Sequence, residues 1–527
     1  MGTLKTVPAA GITGPALWAA AQVRVAQWNL LAQNQWALKR VQVQQLLGNI
    51  KAASATEFGR AHGFDQISSY EDFKRQVPLQ AYPDVEPFLE RMRQGERDVL
   101  WPGLIQYYGQ SSGSSNTKAQ HKFLPISETQ VRWQQKAGFD ILARYLTISG
   151  DRSLTGGYAL GLFPPSILKP SGPVYVTSNP GLMQRRVPWP ASAIQIPQPP
   201  IRDLENYDQK LDRIAEAYLD YDVRSITGTS CWFSILFEKV LAAAKAQGRQ
   251  ANHIADIWPN LRVLFGGGVH AEPYRKVIDR LVGKPTLLMD NYNATEGGLF
   301  AATDRENDPG MIMIPDRGVF FEFVPREDHG KPNARRFALW EVEPHVDYSV
   351  VLTTSSGLFG YYIGDSIRFS SVLPHRMEFT GRMSGVLSLT QELTSFLEIE
   401  RAVAGAAETE PCQIVEFAAS SETDVGETAK GRYLLFVEFE KDPSDLGKFA
   451  AAFDQGLRTQ NRVYREHRTQ DVAILAPQVV PLSRGASKKF LKEMGATSVQ
   501  HKFPRIVEDG RRDLLRTFAR SPGEIRP

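Results

Sequence analysis

Apolar residues recur at helical spacing in the first part of the chain. Residues 16–53 are rich in Ala, Leu, Gln and Arg and contain no proline, a pattern that predicts helix throughout this stretch. A shorter helix is predicted at residues 86–93, with Pro87 in its first turn, where a missing backbone N–H costs no hydrogen bond. The N-terminal part is therefore predicted to be mainly helical.

The middle of the chain alternates between short apolar runs and helical patterns. The run at 261–265 ends in three glycines, and a helical pattern and a second apolar run follow. Strand, glycine turn, helix and strand in this order are typical of a parallel sheet covered by helices. The glycines alone are weak evidence for a phosphate site, because such glycines more often only allow tight helix–strand packing. The elements predicted here are strands at 104–108, 261–265 and 286–289 and helices at 208–219, 230–247 and 272–281.

Two further patterns complete the predicted fold. Residues 311–369 alternate between strands and turns, which predicts an antiparallel meander attached to the first sheet. After Gly381 and Arg382 a separate unit of helices and strands begins. We predict an α/β protein with a large N-terminal domain, residues 1–381, of mixed sheets covered by helices plus an antiparallel β unit. A smaller, mobile α+β domain is predicted at residues 382–527. The strands predicted in these patterns are 311–314, 319–323, 338–342, 348–353, 366–369, 413–418, 433–439 and 471–475, and the helices are 396–407, 445–457 and 488–494.

Composition and charge narrow the function classes. The 61 basic and 58 acidic side chains nearly cancel, which gives no electrostatic reason to expect a nucleic-acid partner. Two cysteines, Cys231 and Cys412, cannot build a disulfide framework, and their scarcity suits a reducing compartment. The most apolar early stretch, residues 15–25, is interrupted by Arg24 and resembles neither a signal peptide nor a membrane span. We therefore expect a cytoplasmic protein without a membrane partner.

The first of three polar segments placed at predicted strand ends is Ser-rich. Residues 111–118 read Ser-Ser-Gly-Ser-Ser-Asn-Thr-Lys and follow the predicted strand at 104–108. Small hydroxyl side chains around a glycine allow backbone N–H groups and hydroxyls to surround phosphate oxygens. The spacing differs from the common P-loop, and a solvated Ser-rich loop explains the same residues.

The second segment, residues 290–298, reads Asp-Asn-Tyr-Asn-Ala-Thr-Glu-Gly-Gly. Tyr292 offers an aromatic surface for a base, and Glu296 offers a carboxylate for a cation. Mg²⁺ prefers oxygen ligands and commonly bridges one or two carboxylates to nucleotide phosphates. A polar turn with a solvated glutamate is the alternative explanation.

The third segment, residues 360–365, reads Gly-Tyr-Tyr-Ile-Gly-Asp and is predicted to form a turn between strands. Asp365 there has the chemistry to accept hydrogen bonds from both ribose hydroxyls, as the acid of dinucleotide-binding folds does. A Gly-Asp hairpin turn is the alternative. The three segments share one property, because open α/β sheets bind ligands beyond the carboxyl ends of their strands.

Taken together and in this order, the segments resemble the motifs of the acyl-acid–amido synthetases of plant hormone conjugation and their bacterial relatives, a branch of the adenylate-forming ligases. Residues 111–115 resemble the family's SSGTS, residues 292–296 its YASSE, and residues 361–365 its YRxGD. Near the end of the chain, residues 500–505 read Gln-His-Lys-Phe-Pro-Arg and resemble its QYKTPR. The resemblance covers about residues 45 to 508.

The resemblance implies an ATP- and Mg²⁺-dependent enzyme that adenylates a small carboxylic acid and transfers the acyl group to an amine, with an amino acid as the expected amine. Its implied catalytic residues are Lys502, a mobile cation brought to the α-phosphate by the small domain, and Glu296, the ligand of Mg²⁺. The serines would contact phosphate, the second motif would contact adenine and the α-phosphate, and Asp365 would contact the ribose. Arg382 lies at the implied hinge between the domains. The implied nucleotide-binding residues are Ser111, Ser112, Gly113, Ser114, Ser115, Tyr292, Asn293, Ala294, Thr295, Glu296, Asp365 and Arg382.

Two departures from the family pattern leave alternatives open. The first loop is longer before Lys122, and Tyr362 occupies the place of the motif's arginine. One alternative is an adenylate-forming ligase that passes its acyl group to a thiol, such as coenzyme A or a carrier protein. Another is a nucleotide-binding protein without catalysis. The pattern does not define the acid substrate, the amine substrate or the oligomeric state. Segments 157–165 and 225–237 are expected to line the acyl pocket, although core packing explains their aromatic residues equally well.

Overall fold

The computed structural model describes two compact units. The first contains residues 1–363 and 367–379, and the second contains residues 364–366 and 380–527. The predicted domain boundary at 381 lies close to this division. The structure describes residues 4–7, 10–111, 122–189, 191–267, 275–305, 310–383, 386–387, 389, 392, 394–422, 431–461, 464–465, 468–469, 474–495, 502–507 and 509–520.

The elements alternate as the sequence predicts for an α/β protein. Helices of the first unit are α1 Ala10–Gln33, α2 Gln35–Ala53, α3 Glu57–Ala61, α4 Tyr70–Gln76, α5 Tyr82–Arg93, α6 Glu128–Ser149, α7 Asn179–Arg185, α8 Tyr207–Ala217, α9 Cys231–Ala246 and α10 Arg275–Val282. The strands up to residue 382 are β1 Tyr107–Ser111, β2 Lys122–Ile126, β3 Tyr158–Leu162, β4 Lys169–Ser171, β5 Val174–Thr177, β6 Gln195–Ile196, β7 Val223–Gly228, β8 Val263–Gly267, β9 Leu287–Ala294, β10 Gly298–Ala302, β11 Met311–Met313, β12 Val319–Pro325, β13 Phe337–Ala338, β14 Asp347–Thr354, β15 Tyr361–Val372 and β16 His375–Arg382.

One twelve-stranded sheet joins the two predicted strand patterns. Its order is β13-β12-β14-β15-β16-β11-β10-β9-β8-β7-β3-β6. Strands β6, β3, β7, β8 and β9 pair in parallel, and the pairing turns antiparallel from β9 to β10. The predicted meander is therefore attached directly to the parallel sheet. A second sheet, β2-β1-β5-β4, has four strands.

Several predicted boundaries are corrected by local capping. The helical stretch at 16–53 is broken at Asn34, whose extended backbone and side-chain oxygen, 3.0 Å from the N–H of Ala37, begin α2. Helix α5 begins four residues earlier than predicted, so the proline in its first turn is Pro83 and Pro87 lies inside the helix. The strand predicted at 338–342 ends at residue 338, because the Glu341 carboxylate accepts the N–H of that residue and closes a turn.

The second unit is the predicted α+β fold. Its three-stranded sheet has β20 in the centre, antiparallel to β19 and parallel to β21. Side chains of β20 alternate between two cores, with Leu435 and Val437 facing one and Leu434 and Phe436 the other. The elements are β17 Val386–Leu387, β18 Thr394–Ser395, α11 Phe396–Thr409, β19 Gln413–Glu422, β20 Gly431–Lys441, α12 Leu446–Gln460, β21 Ile474–Leu482, α13 Ala486–Glu493 and α14 Asp509–Arg516.

The predicted fold class, an α/β protein with a large first part and a smaller α+β second part, is confirmed. Within the described ranges, none of the helices combines the length and apolar character needed to cross a bilayer.

Candidate functional site

The first motif continues directly from strand β1. Ser111 is the last residue of this strand and pairs with Lys122 of β2, while residues 112–115 lie outside the described residues. Two positions before the motif, a Cβ built on Gly109 would lie 2.4 Å from Cγ2 of Thr295. Only glycine therefore allows β1 to approach the second motif this closely. The strand of the first motif and the turn of the second are neighbours in space.

The second motif is part strand and part turn. Residues 292–294 are the end of β9, and residues 295–297 form the turn that leads into β10. The sequence placed all of these residues in a loop after a strand, so the strand is longer than predicted. Asn293 is exposed, and its Nδ2 donates to Oδ1 of Asn291 at 2.7 Å. Polar amides therefore line the end of this strand.

Tyr292 itself belongs to the core of the first unit. Its side chain is 8% exposed, and its ring centroid lies 5.4 Å from that of Phe300 and 5.7 Å from that of Phe379. A ring packed in this way offers little surface to a bound base. Its proposed contact with adenine stays a prediction.

The glycines that end strand β8 make room for polar side chains. A Cβ on Gly266 would lie 2.5 Å from Oγ of Ser230 and 2.6 Å from Oδ1 of Asp290, and one on Gly267 would lie 2.9 Å from Oδ1 of Asn291. The Ser230 hydroxyl is buried and has no hydrogen-bond partner among the described residues. The sequence left the role of these glycines open; here they allow polar groups to gather at the carboxyl ends of parallel strands.

A buried hydrogen-bond network fixes the turn of the second motif, and sequence reasoning missed it. Nε2 of Gln130 donates to the carbonyl oxygen of Thr295 at 3.1 Å, and the Ser356 hydroxyl donates to Oε1 of Gln130. Ser127, the N-cap of α6, donates its N–H to Oγ of Ser356 at 3.0 Å and its hydroxyl to the carbonyl of Ser355 at 2.5 Å. The sequence signal for this network was the Ser-x-x-Gln spacing of Ser127 and Gln130, which is typical of a helix start. In the structure this glutamine binds residues of other segments instead.

The acid of the second motif lies near the first tyrosine of the third. Glu296 is 7% exposed and Tyr361 is fully buried. Burial, with a smaller contribution from the negative charge of Glu296, raises the pKa of Tyr361 well above its usual value. The turn of the second motif and the start of β15 therefore share one environment.

The third motif is strand and not the predicted turn. Residues 361–365 lie within β15, which is hydrogen-bonded between β14 and β16. Gln80 adds a bridge at the start of this strand: its N–H donates to the carbonyl of Gly360, and its carbonyl accepts the N–H of Tyr362, both at 2.8 Å. Gly364 has a φ of +84°, a conformation that favours glycine. The two glycines of this segment, which suggested a turn in the sequence, therefore lie directly before the strand and inside it.

Asp365 and Arg382 lie on neighbouring strands. Asp365 is 8% exposed and belongs to the second unit, as does Arg382, whose side chain lies outside the described residues. The N–H of Met383 donates to the carbonyl of Gly364 at 2.8 Å, which brings the two predicted residues onto adjacent backbone. Their contact with a nucleotide stays a prediction.

Tyr362, which replaces the motif's arginine, is buried beside a charged pair. Its ring packs edge-on to His329, with 4.6 Å between centroids, and burial raises its pKa to about 12. Arg336, whose charge also acts on Tyr362, binds both carboxylate oxygens of Glu322 at 2.8 and 3.0 Å. A positive charge is thus present in this region, although it comes from another part of the chain.

Lys502 is exposed in the second unit. Helix α13 ends as predicted, with Gly495 at a φ of +72°, and residues 496–501 lie outside the described residues. In the expected acyl pocket, Phe233 and Phe237 of α9 are fully buried, so core packing accounts for both.

The side chains at the strand ends fit a nucleotide and its metal ion. Amides at Asn291 and Asn293 would supply donors and acceptors for phosphate and base, as would the hydroxyl of Ser230, which lacks a partner among the described residues. Glu296 would supply a carboxylate. In the described parts of the chain, no cluster of three or more His, Cys, Asp or Glu side chains is arranged to hold a metal ion. A Mg²⁺ bound by phosphates, water and one carboxylate requires no such cluster.

Comparison with known proteins places this arrangement in a family. The model of the GH3 family N-terminal domain matches residues 29–163, that of the GH3 family central domain residues 312–382, and that of the GH3 family C-terminal domain residues 397–511. Together these ranges cover more than half of the chain.

Individual relatives agree with the family match. The chain is 28% identical to jasmonoyl–L-amino acid synthetase GH3.5 of Oryza sativa subsp. japonica over 51% of this chain and 49% of the relative. It is 24% identical to indole-3-acetic acid-amido synthetase GH3.8 of Oryza sativa subsp. indica over 88% of this chain and 87% of the relative. The alignment thus spans about half of the first relative and most of the second.

A solved structure has the same fold. GH3.15 acyl acid amido synthetase superimposes with a TM-score of 0.76 and 18% identity over 95% of this chain and 96% of that one. The resemblance drawn from the four motifs is confirmed, and the predicted amide-forming activity agrees with the names of these relatives. With its N-terminal, central and C-terminal domains matched in order, the chain belongs to the GH3 family.

Proposed function

We propose that this chain is an ATP-dependent acyl acid–amido synthetase. It converts a small carboxylic acid and ATP into an acyl-adenylate and pyrophosphate, and then transfers the acyl group to an amine with release of AMP. The amine we propose is an amino acid, as the names of the plant relatives suggest. The observation that carries the proposal is the network in which Gln130 binds both the Thr295 carbonyl and the Ser356 hydroxyl.

That network matters because of what adenylation demands. A carboxylate resists attack by an amine, and attack of the carboxylate on the α-phosphorus of ATP gives it AMP as a leaving group. The main barrier is the crowding of negative charge, so donors and cations must be fixed before the reaction. Gln130 fixes the turn that carries Thr295 and Glu296, and Lys502 is the cation proposed to act at the α-phosphate.

The proposed roles follow the chemistry of each side chain. Thr295 and the amides of β9 bind the α-phosphate and adenine, and Asp365 binds the ribose hydroxyls. Glu296 would hold Mg²⁺, which would neutralise phosphate charge when bound. We also propose a cytoplasmic location, supported by the scarcity of cysteine.

Acid-dependent exchange of labelled pyrophosphate into ATP tests this function. A panel of aromatic, indolic and aliphatic carboxylic acids is offered, and each active acid is then incubated with amino acids and coenzyme A together. We expect pyrophosphate exchange with at least one of the acids, and an amide as the product of the second incubation. A thioester as the main product would indicate transfer to a thiol, and tight ATP binding without exchange would indicate a nucleotide-binding protein.

A further inference from the structure

The arginine that follows Lys502 by three positions is held by two acidic residues. Nε of Arg505 lies 3.2 Å from Oε1 of Glu400 in α11, and its Nη1 donates to a carboxylate oxygen of Glu416 in β19. Nη1 also donates to the carbonyl of Phe417 at 3.2 Å, and the guanidinium lies 4.4 Å from the centroid of that ring. The side chain of Arg505 is 16% exposed, so these pairs are shielded from water more than surface pairs are.

The backbone beside this arginine is attached to the same strand. The N–H of Ala419 donates to the carbonyl of Arg505 at 2.8 Å, and the N–H of Val507 donates to the carbonyl of Ala419 at 2.9 Å. The hydroxyl of Ser420 donates to the carbonyl of Val507 at 2.7 Å. Residues 505–507 therefore continue the sheet as a short bridge, although they form no regular strand.

The residues between the lysine and the arginine are restrained as well. Phe503 is 6% exposed and packs edge-on to Phe490 of α13, with 5.5 Å between ring centroids. Pro504 has a fixed φ, which removes one of the soft torsions between the two cations. Lys502 is exposed, and in the segment that it begins Phe503 is packed and Arg505 is paired with carboxylates.

We propose that Arg505 is a positioning residue for Lys502 in the adenylation step. This inference rests on the function proposed above for Lys502. Two carboxylates neutralise the charge of Arg505, so this arginine anchors through ion pairs the segment that carries Lys502 three positions earlier. Anchoring it beforehand reduces the freedom that the ammonium would lose on reaching the α-phosphate.

The activity test compares Arg505→Met with Arg505→Lys, and with Arg516→Met as the matched control. Arg516 is also an arginine of the second unit that pairs with a carboxylate of β19, that of Glu422, but it is 45% exposed. We expect Arg505→Met to lower kcat for pyrophosphate exchange by about 10- to 100-fold with KM for ATP within about 2-fold. Arg505→Lys should recover part of the loss, since lysine keeps the charge but not the forked geometry.

A double variant separates positioning from a general loss of structure. If Arg505 acts through Lys502, Arg505→Met should change the residual exchange rate of Lys502→Ala by less than about 2-fold. A further loss in the double variant as large as in the wild-type background would overturn the inference. If Arg505→Met fails to fold, Glu416→Gln, which leaves Glu400 in place, is expected to lower kcat by about 3-fold or more.

Hydrogen exchange tests the anchor without relying on activity. The amide of Val507 should exchange at least about 10-fold faster in Arg505→Met than in wild type, while the amides of β20 are unchanged. Unchanged protection at Val507 would contradict the anchor. If wild type shows no acid-dependent pyrophosphate exchange, the proposed function fails, and the protection of Val507 still decides whether Arg505 holds this segment.

Discussion

Two segments that we propose act on the nucleotide are held in place by different kinds of interaction. The turn of the second motif is buried and held by neutral groups, since Gln130 binds the carbonyl of Thr295 and accepts from the hydroxyl of Ser356. The segment of Lys502 begins with an exposed residue and is held by the ion pairs of Arg505 with two glutamates.

The difference follows from what each segment carries. A neutral network holds a carboxylate turn without placing a competing cation next to the groups that would bind phosphate and Mg²⁺. On the other segment, two carboxylates neutralise the charge of the arginine that lies three positions after the lysine. We therefore expect neutral amides at a site proposed to bind ionic ligands, and a paired arginine on a segment proposed to carry a catalytic lysine.

The largest effect is expected from Lys502→Ala. If Lys502 acts on the developing phosphate charge as proposed, its removal should lower the rate of pyrophosphate exchange by about 10²- to 10³-fold, with ATP affinity changed little. Lys489→Ala, at an exposed position of α13, is the matched control and should behave as wild type. Wild-type exchange in Lys502→Ala would remove this lysine from the mechanism.

A somewhat smaller loss is expected from Glu296→Gln. The amide keeps the size of the side chain but loses the negative charge, so exchange should fall by about 100-fold and require more Mg²⁺. The measurement is the exchange rate as a function of Mg²⁺ concentration, with Glu216→Gln, an exposed glutamate of α8, as control. A parallel fall at every Mg²⁺ concentration would argue against metal binding by Glu296.

Acid should weaken the first unit through His375. Burial lowers the pKa of this histidine to about 4, below its usual 6.5. Between these values the unfolded chain binds a proton that the folded chain does not, so the free energy of unfolding should fall by about 3 kcal/mol as pH drops from 6.5 to 4. All nine tryptophans precede residue 341, so tryptophan fluorescence in urea reports on this unit. In His375→Gln, the free energy of unfolding should fall less steeply between pH 6.5 and 4. An unchanged fall would show that His375 is not its cause.

The smallest effect is expected from Gln130→Ala, which tests the neutral network directly. The substitution leaves the Thr295 carbonyl and the Ser356 hydroxyl without this partner, so the free energy of unfolding should fall by about 1–3 kcal/mol. The exchange rate should fall by about 10-fold as the turn loses its position. Gln22→Ala removes a part-buried bond to Thr147 elsewhere in the unit and serves as control. Equal exchange rates in the two variants would show that the network is only structural.

The fold was largely predictable because its elements have regular local patterns. The alternating helices and strands of the second unit and the parallel strands of the first follow periodicities that the sequence displays. The strand containing the third motif was not predictable in this way. Its glycines, Gly360 and Gly364, indicate a turn locally, and pairing with segments far away in the sequence, the neighbouring strands β14 and β16 and Gln80, makes the segment a strand.

The motif positions of the candidate site were readable from the sequence, but the residues that hold them were not. Gln130 and Thr295 are 165 positions apart, and Arg505 is 89 positions from Glu416. A single sequence gives no signal for such contacts, since each residue has an ordinary local explanation as a helix start or a surface charge. The surroundings of Tyr362 were unpredictable for the same reason, because the ion pair of Arg336 and Glu322 beside it comes from other segments of the chain.

A crystal structure with AMP would decide whether the second and third motifs bind one nucleotide, as we propose. We expect AMP with its phosphate at Thr295 and its ribose hydroxyls at the carboxylate of Asp365. AMP bound in a different cleft, out of contact with both residues, would contradict it.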